Sequence, residues 1–298
     1  MSEQEKTPDT AQPTGIMDQK VGIIGANGAL GSDLARVLRH PVPAFHKDFD
    51  ICDYDAARAW LEKSGVAAVI NTAAFHRVPD CETEYAPAFE VNVIGVRNLA
   101  RACAELDIHL CHISTDYVFD GTKKAPYVET DPPAPLSIYA ISKLAGEHAL
   151  AAYGKRTSIV RSCGLYGRVP TRAKGGNFVN AMIKLGTERD RVTVVNDEIV
   201  CPTYTFDLAV AIDRLLAAGG EGIFHINQNG HTTWFDFAKV IFEARGLPAK
   251  LEPISAASFQ SKVQRPSYSV LSNEKFEKLT GHRMPDWENA LRRHLAEI

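Results

Sequence analysis

Tyr139 and Lys143 stand four residues apart in the run Tyr139-Ala140-Ile141-Ser142-Lys143. On a helix that spacing puts both side chains on one face, where an ammonium can lower a phenol's pKa and make it a working proton donor. The pattern alone is common by chance. It gains meaning from a glycine turn upstream at Gly25, Gly28 and Gly31 and from a hydroxyl-rich segment between them, Ser114-Thr115-Asp116. Hydride delivered to a ketone creates an alkoxide, which needs a hydrogen-bond donor as charge develops and a proton soon after. Thr115 can polarise that oxygen, Tyr139 can give the proton, and Lys143 can tune the tyrosine while holding a nicotinamide ribose. Ser114 competes with Thr115 for the first role, but alternation along a strand sends the two side chains to opposite faces. His112 and His76 are weaker acid candidates, because a lone His beside apolar residues is more often a satisfied core group.

These groups need a scaffold. Val21 to Ile24 is a strand-like run that leads straight into Gly25-Ala26-Asn27-Gly28-Ala29-Leu30-Gly31 and then into helical spacing. Strand, glycine turn and helix in that order form a dinucleotide site: Gly25 for the tight turn, Gly28 for the approach of the pyrophosphate, Gly31 for close helix packing. Backbone amides from about Gly28 through Ala29 to Leu30 then face the phosphates. After the second strand, His46-Lys47-Asp48-Phe49-Asp50-Ile51 mixes a cation suited to a 2′-phosphate (Lys47) with acids suited to a free ribose hydroxyl (Asp50, beside Ile51), so NADPH is favoured and NADH stays open. Small residues at the end of the third strand, Thr72, Ala73 and Ala74 after Asn71, suit a backbone passing near the cofactor.

Further strands are expected at Val66 to Ile70, Ile108 to Ile113, Thr157 to Arg161, Val192 to Val195 and near Ile223 to Ile226. Helices are expected over Leu30 to Leu38, Ala86 to Leu106, Tyr139 to Tyr153, Phe178 to Gly186 and Thr205 to Ala218. Thr233 followed by Asp236 reads as a cap opening a helix to Arg245, and two short helices near Asn273 to Thr280 and Trp287 to Ala296 end the chain. Alternating strands and helices imply an α/β fold, a Rossmann-like doubly wound parallel sheet with a smaller C-terminal substrate lobe. Residues 1–19 read as a disordered leader, 20–165 mainly as the NAD(P)-binding domain, and 166–298 mainly as the substrate lobe, with some segments returning to the first domain. The loop from Gly167 to Gly176 is rich in glycine and basic residues.

Composition narrows the partners. A net charge of −3 with dispersed Lys and Arg gives no basic stripe for a nucleic-acid polymer. No apolar run reaches membrane-spanning length and the chain opens without a hydrophobic signal core, so a cytoplasmic protein is expected. Six scattered cysteines lack metal-ligand spacing, so neither disulfides nor a metal is expected. A homodimer is compatible with these bounds.

The chain from about Val21 onward resembles the dTDP-4-dehydrorhamnose reductase family of extended short-chain dehydrogenases/reductases. The resemblance rests on Gly25 to Gly31, Val91-Asn92, the long run Ile113 to Gly121, Tyr139 to Lys143 followed by Leu144-Ala145-Gly146-Glu147, Gly176-Asn177-Phe178-Val179, Pro202-Thr203-Tyr204, Arg265-Pro266 and Met284-Pro285-Asp286-Trp287. It implies NAD(P)H-dependent reduction of the 4-keto group of dTDP-6-deoxy-L-lyxo-4-hexulose to dTDP-L-rhamnose. It also implies that Thr115, Tyr139 and Lys143 carry the chemistry, that Asp116 contacts the sugar, and that Asn177, Phe178 and Arg265 lie near the nucleotide-sugar. A reductase of another keto-sugar nucleotide and a non-catalytic NADP-binding regulatory subunit share these features. Two positions depart from the family: Cys163-Gly164 replaces a Ser-Trp whose ring contacts the hexose, and Phe75-His76 replaces a Tyr-Thr. Gly164 is therefore expected to open space beside the sugar, with Arg168, Arg172 and Lys174 able to compensate.

Overall fold

Edge strands tolerate what central strands cannot, and the second strand of this chain carries two prolines for that reason. The computed structural model describes residues 18–170, 176–259, 261 and 263–298. Residues 1–17 of the expected leader, and Arg172 and Lys174, lie outside the described residues. The chain runs β1 (Val21–Ile24), α1 (Ala29–Val37), β2 (Pro41–Ala44), α2 (Tyr54–Ser64), β3 (Ala68–Asn71), α3 (Val78–Cys81) and α4 (Tyr85–Phe89). A π-helical segment, Glu90–Gly95, leads into α5 (Val96–Glu105), then β4 (His109–Thr115), α6 (Ile138–Tyr153) and β5 (Thr157–Ser162). The second half holds α7 (Phe178–Glu188), β6 (Arg191–Val195), β7 (Ile199–Val200), α8 (Thr205–Ala217), β8 (Gly222–His225) and β9 (Thr232–Thr233). It ends with α9 (Trp234–Arg245), β10 (Lys250–Ile254), α10 (Glu274–Thr280) and α11 (Trp287–Glu297).

Six strands form one parallel sheet in the order β2-β1-β3-β4-β5-β8. β1, β3 and β4 are buried along their whole length, as expected of strands covered on both faces, while Pro41 and Pro43 sit on the outer strand β2, where a missing amide breaks no central ladder. One face is sealed by Leu30 and Leu34 of α1, Leu208, Ile212 and Leu215 of α8 and Phe276 of α10. The other is sealed by Leu61 of α2, Val96 and Leu99 of α5 and Leu150 of α6. This is a Rossmann-like doubly wound sheet. The strand order reverses between β1 and β3, so a crevice lies at their carboxyl ends, the place where open α/β sheets bind ligands.

A third core gathers Val179, Met182, Val192, Val194, Phe237, Ile241 and Leu291 from α7, α9, α11 and the two-stranded sheet β6–β10, with Tyr166 from the segment after β5. From this second half α8 packs on α1, and β8 joins the main sheet beside β5. The helix expected over Ala86 to Leu106 is interrupted by the π-helical segment, a feature that recurs at functional sites. α2 escapes sequence reading because it buries only Ala57 and Leu61; β7 and β9, two residues each, carry no periodicity at all. Among the described residues no helix is long and apolar enough to cross a membrane.

Candidate active site

The three glycines of the turn are not equivalent. Gly25 has φ +80°, and a Cβ there would lie 2.7 Å from Thr72 Oγ1 and 3.0 Å from the Ala73 nitrogen. A Cβ on Gly31 would collide with the Gly25 carbonyl oxygen and lie 2.8 Å from Ala26 Cα. Gly28 has an ordinary φ of −79°, and its Cβ would meet only the Gly25 oxygen, at 3.3 Å. The chain's own packing therefore demands Gly25 and Gly31, whereas the missing side chain of Gly28 leaves room for something else. Gly28 also leaves α1 without a side-chain cap, so the amides of Ala29, Leu30 and Gly31 open the helix as an anion cradle. The Gly28 amide itself donates to Gly25 O at 3.0 Å, so the cradle begins one residue later than the sequence implies.

Both flanks of the turn are tied down. Thr72 Oγ1 donates to Ile24 O (2.8 Å) and Gly25 O (3.2 Å), joining β3 to the turn. The Ala73 amide donates to Asn71 Oδ1 at 3.1 Å, and Ala74 O contacts His76 Nδ1 at 3.1 Å. On the other side the amides of Gly25 and Ala26 both reach Ala44 O at 3.2 Å. Beyond Ala44, Lys47 is exposed, with Nζ 5.6 Å from the Phe45 ring centre. The acids beside it cap local turns: Asp48 accepts from the Phe45 amide (2.8 Å) and Asp50 from the Cys52 amide (2.9 Å). Ile51 is buried, its side chain packed so closely on Gly95 that a Cβ there would lie 2.6 Å away.

Thr115 ends β4 in an extended conformation, accepting from the Tyr117 amide and donating to Asp116 Oδ1, both at 3.2 Å. Ser137 caps α6 by accepting from the Ala140 amide at 3.3 Å, which starts the helix at Ile138 and sets Tyr139 in its first turn. The Tyr139 phenol lies close enough to Thr115 to feel its hydroxyl, and the Tyr117 ring meets Tyr139 edge-on at 6.2 Å. Ser114 points elsewhere and donates to Glu147. Burial pushes the Tyr139 phenol above its ordinary value, opposed by the Thr115 hydroxyl, so it is a protonated donor at neutral pH.

The Lys143 side chain reaches back to β4. Its Nζ lies 2.7 Å from Ile113 O and 3.1 Å from His112 Nε2, buried against β4. Burial brings it down to about 8, against the opposing field of Glu147. His112 is fully buried and pushed well below its ordinary value, first by burial and then by Lys143, so it is no acid; its Nδ1 lies 3.2 Å from Asn71 Nδ2. Asn92, in the π-helical segment, was not among the candidate site residues, yet it fastens the site together. It accepts from the Phe75 amide (2.9 Å) and donates to Phe75 O (3.0 Å) and Ser142 Oγ (2.9 Å), joining the loop after β3 to α6.

Beneath α6, Arg161 of β5 grips Glu147 through Nε–Oε1 at 3.0 Å and Nη2–Oε2 at 2.6 Å, with both side chains under 5% exposed (3% and 4%). Arg161→Met leaves the carboxylate buried without its cation and is expected to destabilise the fold by about 3–5 kcal/mol. Urea denaturation followed by circular dichroism checks this, and a loss below about 1 kcal/mol would mean that the pair is not the anchor of α6.

On the substrate side Asp116 is 2% exposed and its Oδ2 has no hydrogen-bond partner among the described residues. Burial holds its carboxyl up at about 6, with contacts from Ser269, Cys163 and Thr115 opposing. The gap expected at Gly164 is closed. Gly164 sits at φ +51°, and a Cβ there would lie 3.0 Å from Trp234 Cη2 and 3.3 Å from Pro202 Cα. The Trp234 ring packs at a tilt on Phe178, 4.7 Å between centres, and its indole lies near enough to the buried Glu198 to oppose its rise, so an aromatic wall stands beside Gly164 but arrives from α9. Asn177 caps α7 through the Asn180 amide (3.1 Å) and donates to Gly167 O (3.0 Å). Arg265 is half-buried, donates to Ser261 Oγ at 2.9 Å and lies close enough to Glu198 to oppose its burial-driven rise. No cluster of candidate metal ligands occurs among the described residues.

A parallel sheet with a glycine turn after β1 and a Tyr-x-x-x-Lys helix packed on β4 is the architecture of extended short-chain dehydrogenases/reductases. The chain belongs to the family described as RmlD substrate binding domain, whose model matches residues 19–298. It is similar to a dTDP-4-dehydrorhamnose reductase of Mycobacterium tuberculosis, at 38% identity over 93% of each chain. It is also similar to a dTDP-4-keto-6-deoxy-D-glucose reductase of Streptomyces niveus, at 36% identity over 90% of this chain and 94% of that protein. A crystal structure of dTDP-4-dehydrorhamnose reductase from Bacillus anthracis in complex with NADP superposes with a TM-score of 0.89 at 36% identity, covering 94% of this chain and 99% of the other.

Proposed function

We propose that the protein reduces the 4-keto group of a dTDP-6-deoxy-hexulose with NADPH, with dTDP-4-dehydrorhamnose as substrate and dTDP-L-rhamnose as product. The observation that carries this reading is the Thr115–Tyr139 contact at the carboxyl end of β4, beside the buried, unpartnered Asp116 Oδ2. The open side of Gly28 and the uncapped start of α1 fit a dinucleotide diphosphate. The nicotinamide supplies the hydride when bound.

The chain's residues do the rest. The amides of Ala29, Leu30 and Gly31 hold the diphosphate, Lys47 meets the 2′-phosphate, Thr72, Ala73 and Ala74 line the cofactor's path, and Lys143 serves its ribose. Thr115 polarises the keto oxygen and Tyr139 gives it a proton as charge develops. Asp116 Oδ2 accepts from a sugar hydroxyl. Phe178 and Trp234 wall the sugar nucleotide, and Arg265 offers a guanidinium to its diphosphate. The domain built on the main sheet holds the cofactor and the lobe around the third core holds the sugar. The six free thiols suit the reducing cytoplasm.

Oxidation of NADPH and of NADH with enzymatically made dTDP-4-keto-6-deoxy sugars, with identification of the product, tests the reading; no oxidation with any such sugar would overturn it. Because the Asp116 carboxylate is a much stronger acceptor for a sugar hydroxyl than the neutral acid, kcat/KM is expected to fall as pH drops through about 6. Asp116→Asn should be slow at every pH and lack that acid limb.

A further inference from the structure

Asn71, His112 and Lys143 form a buried chain whose hydrogen positions are fixed by its far end. The Ala73 amide, a donor, sits 3.1 Å from Asn71 Oδ1, so Asn71 must turn its amide nitrogen to His112 Nδ1, at 3.2 Å. Nδ2 can only donate, hence Nδ1 accepts, and the single proton of the neutral ring sits on Nε2. That proton points at Lys143 Nζ, 3.1 Å away. A neutral amine can accept it and still donate to Ile113 O at 2.7 Å. An ammonium has no lone pair, so two donors would face each other in a site where Asn71 and His112 are wholly buried and Lys143 is 2% exposed. Moving the ring proton to Nδ1 shifts the conflict to Asn71, and flipping the Asn71 amide shifts it to Ala73. In every arrangement a charged Lys143 leaves one donor unmatched, fully buried in the first two and at the part-buried Ala73 amide in the third.

We propose that Asn71 and His112 are positioning residues that set the protonation state of Lys143, by presenting it with a hydrogen-bond donor where an ammonium needs an acceptor. The inference rests on the reading that Lys143 serves a nicotinamide cofactor. Of the charged groups around it, Glu147 one turn later on α6 favours the ammonium, with Arg161 of β5 sharing its charge, while Tyr139 one turn earlier stays protonated. The lowering of Lys143 to about 8 follows from burial, and the polarity of the Asn71–His112 pair acts in the same direction. Lys143 is thus held ready to lose its proton just above neutrality in the free enzyme and to regain it when an anionic dinucleotide arrives.

Three measurements separate this from a purely structural role. Calorimetry of NADPH binding to the wild-type protein in two buffers of different ionisation heat should show proton uptake above pH 8, approaching about one proton per cofactor. The NADPH dissociation constant should weaken as pH rises through about 8. In Asn71→Asp a carboxylate accepts from both the Ala73 amide and an Nδ1 proton, so His112 offers Lys143 an acceptor and that alkaline limb should move up by about one pH unit or more, roughly tenfold tighter binding on the alkaline side. Asn71→Ser, whose hydroxyl donates or accepts, carries no added charge and should move the limb the same way by less. No proton uptake in the wild type, or folded variants whose limb stays in place, would overturn the proposal. Absence of NADPH binding at any pH would instead overturn the reading beneath it.

Discussion

Tyr139→Phe is expected to lower turnover by about a hundredfold or more, the scale for losing a general acid, while NADPH affinity is retained. The substitution keeps the ring and therefore its edge-on packing against Tyr117 at 6.2 Å, and removes only the hydroxyl that meets Thr115. Thr115→Val removes the other half of the contact and should cost about 10²–10³ in turnover, as for a donor aimed at a developing oxyanion. The double variant should be little slower than Tyr139→Phe alone, because two groups on one oxygen act as a unit. Single-turnover NADPH oxidation at saturating sugar nucleotide measures all three. Near-normal turnover in Tyr139→Phe would remove it from the chemistry, and strict additivity would mean that the two hydroxyls serve different atoms.

What the sequence discloses is local order; what it withholds is which distant side chain reaches a given spot. The strands around Val21, Ile70, Ile113 and Val160 and the Thr233 cap are legible because apolar periodicity and capping chemistry are written in adjacent residues. That the glycine turn after β1 and Thr115 at the end of β4 lie at the same edge of the sheet is legible because open parallel sheets gather their carboxyl ends there. Lys143 is different. Spacing on α6 puts it on the Tyr139 face, but its long chain bends to the strand behind, where His112 and Ile113 O compete for it, and no helical periodicity contains that competition. Gly164 fails in the same way: a missing side chain reads as a hole until Trp234, seventy positions later in the chain, is seen to stand in it. Asn177 and Asn92 show that an amide beside a site can hold the scaffold together, a role fixed by partners such as Gly167 O and Phe75 rather than by neighbours in sequence.

Gly28→Val and Gly31→Ala should part company, although both glycines belong to one motif. At Gly31 even a methyl group meets the Gly25 carbonyl oxygen and, at 2.8 Å, Ala26 Cα, both backbone atoms of the turn that cannot swing aside. The helix α1 must back away from β1, so Gly31→Ala is expected to destabilise by about 1–3 kcal/mol, the scale of overpacking, and to lower the melting temperature. At Gly28 the conformation is one any residue adopts, and the sole contact of a Cβ is Gly25 O at 3.3 Å. The branched side chain of valine then projects over the amides of Ala29, Leu30 and Gly31, where an anionic diphosphate would sit. Gly28→Val should melt close to the wild type yet bind NADPH at least about a hundredfold more weakly, equivalent to about 2.7 kcal/mol. Thermal melts with and without NADPH read both effects at once: a low melting point still raised by cofactor for Gly31→Ala, a near-normal one unmoved by cofactor for Gly28→Val. A folded Gly28→Val protein that NADPH stabilises as fully as the wild type would take the glycine turn out of the cofactor site and leave it a piece of packing.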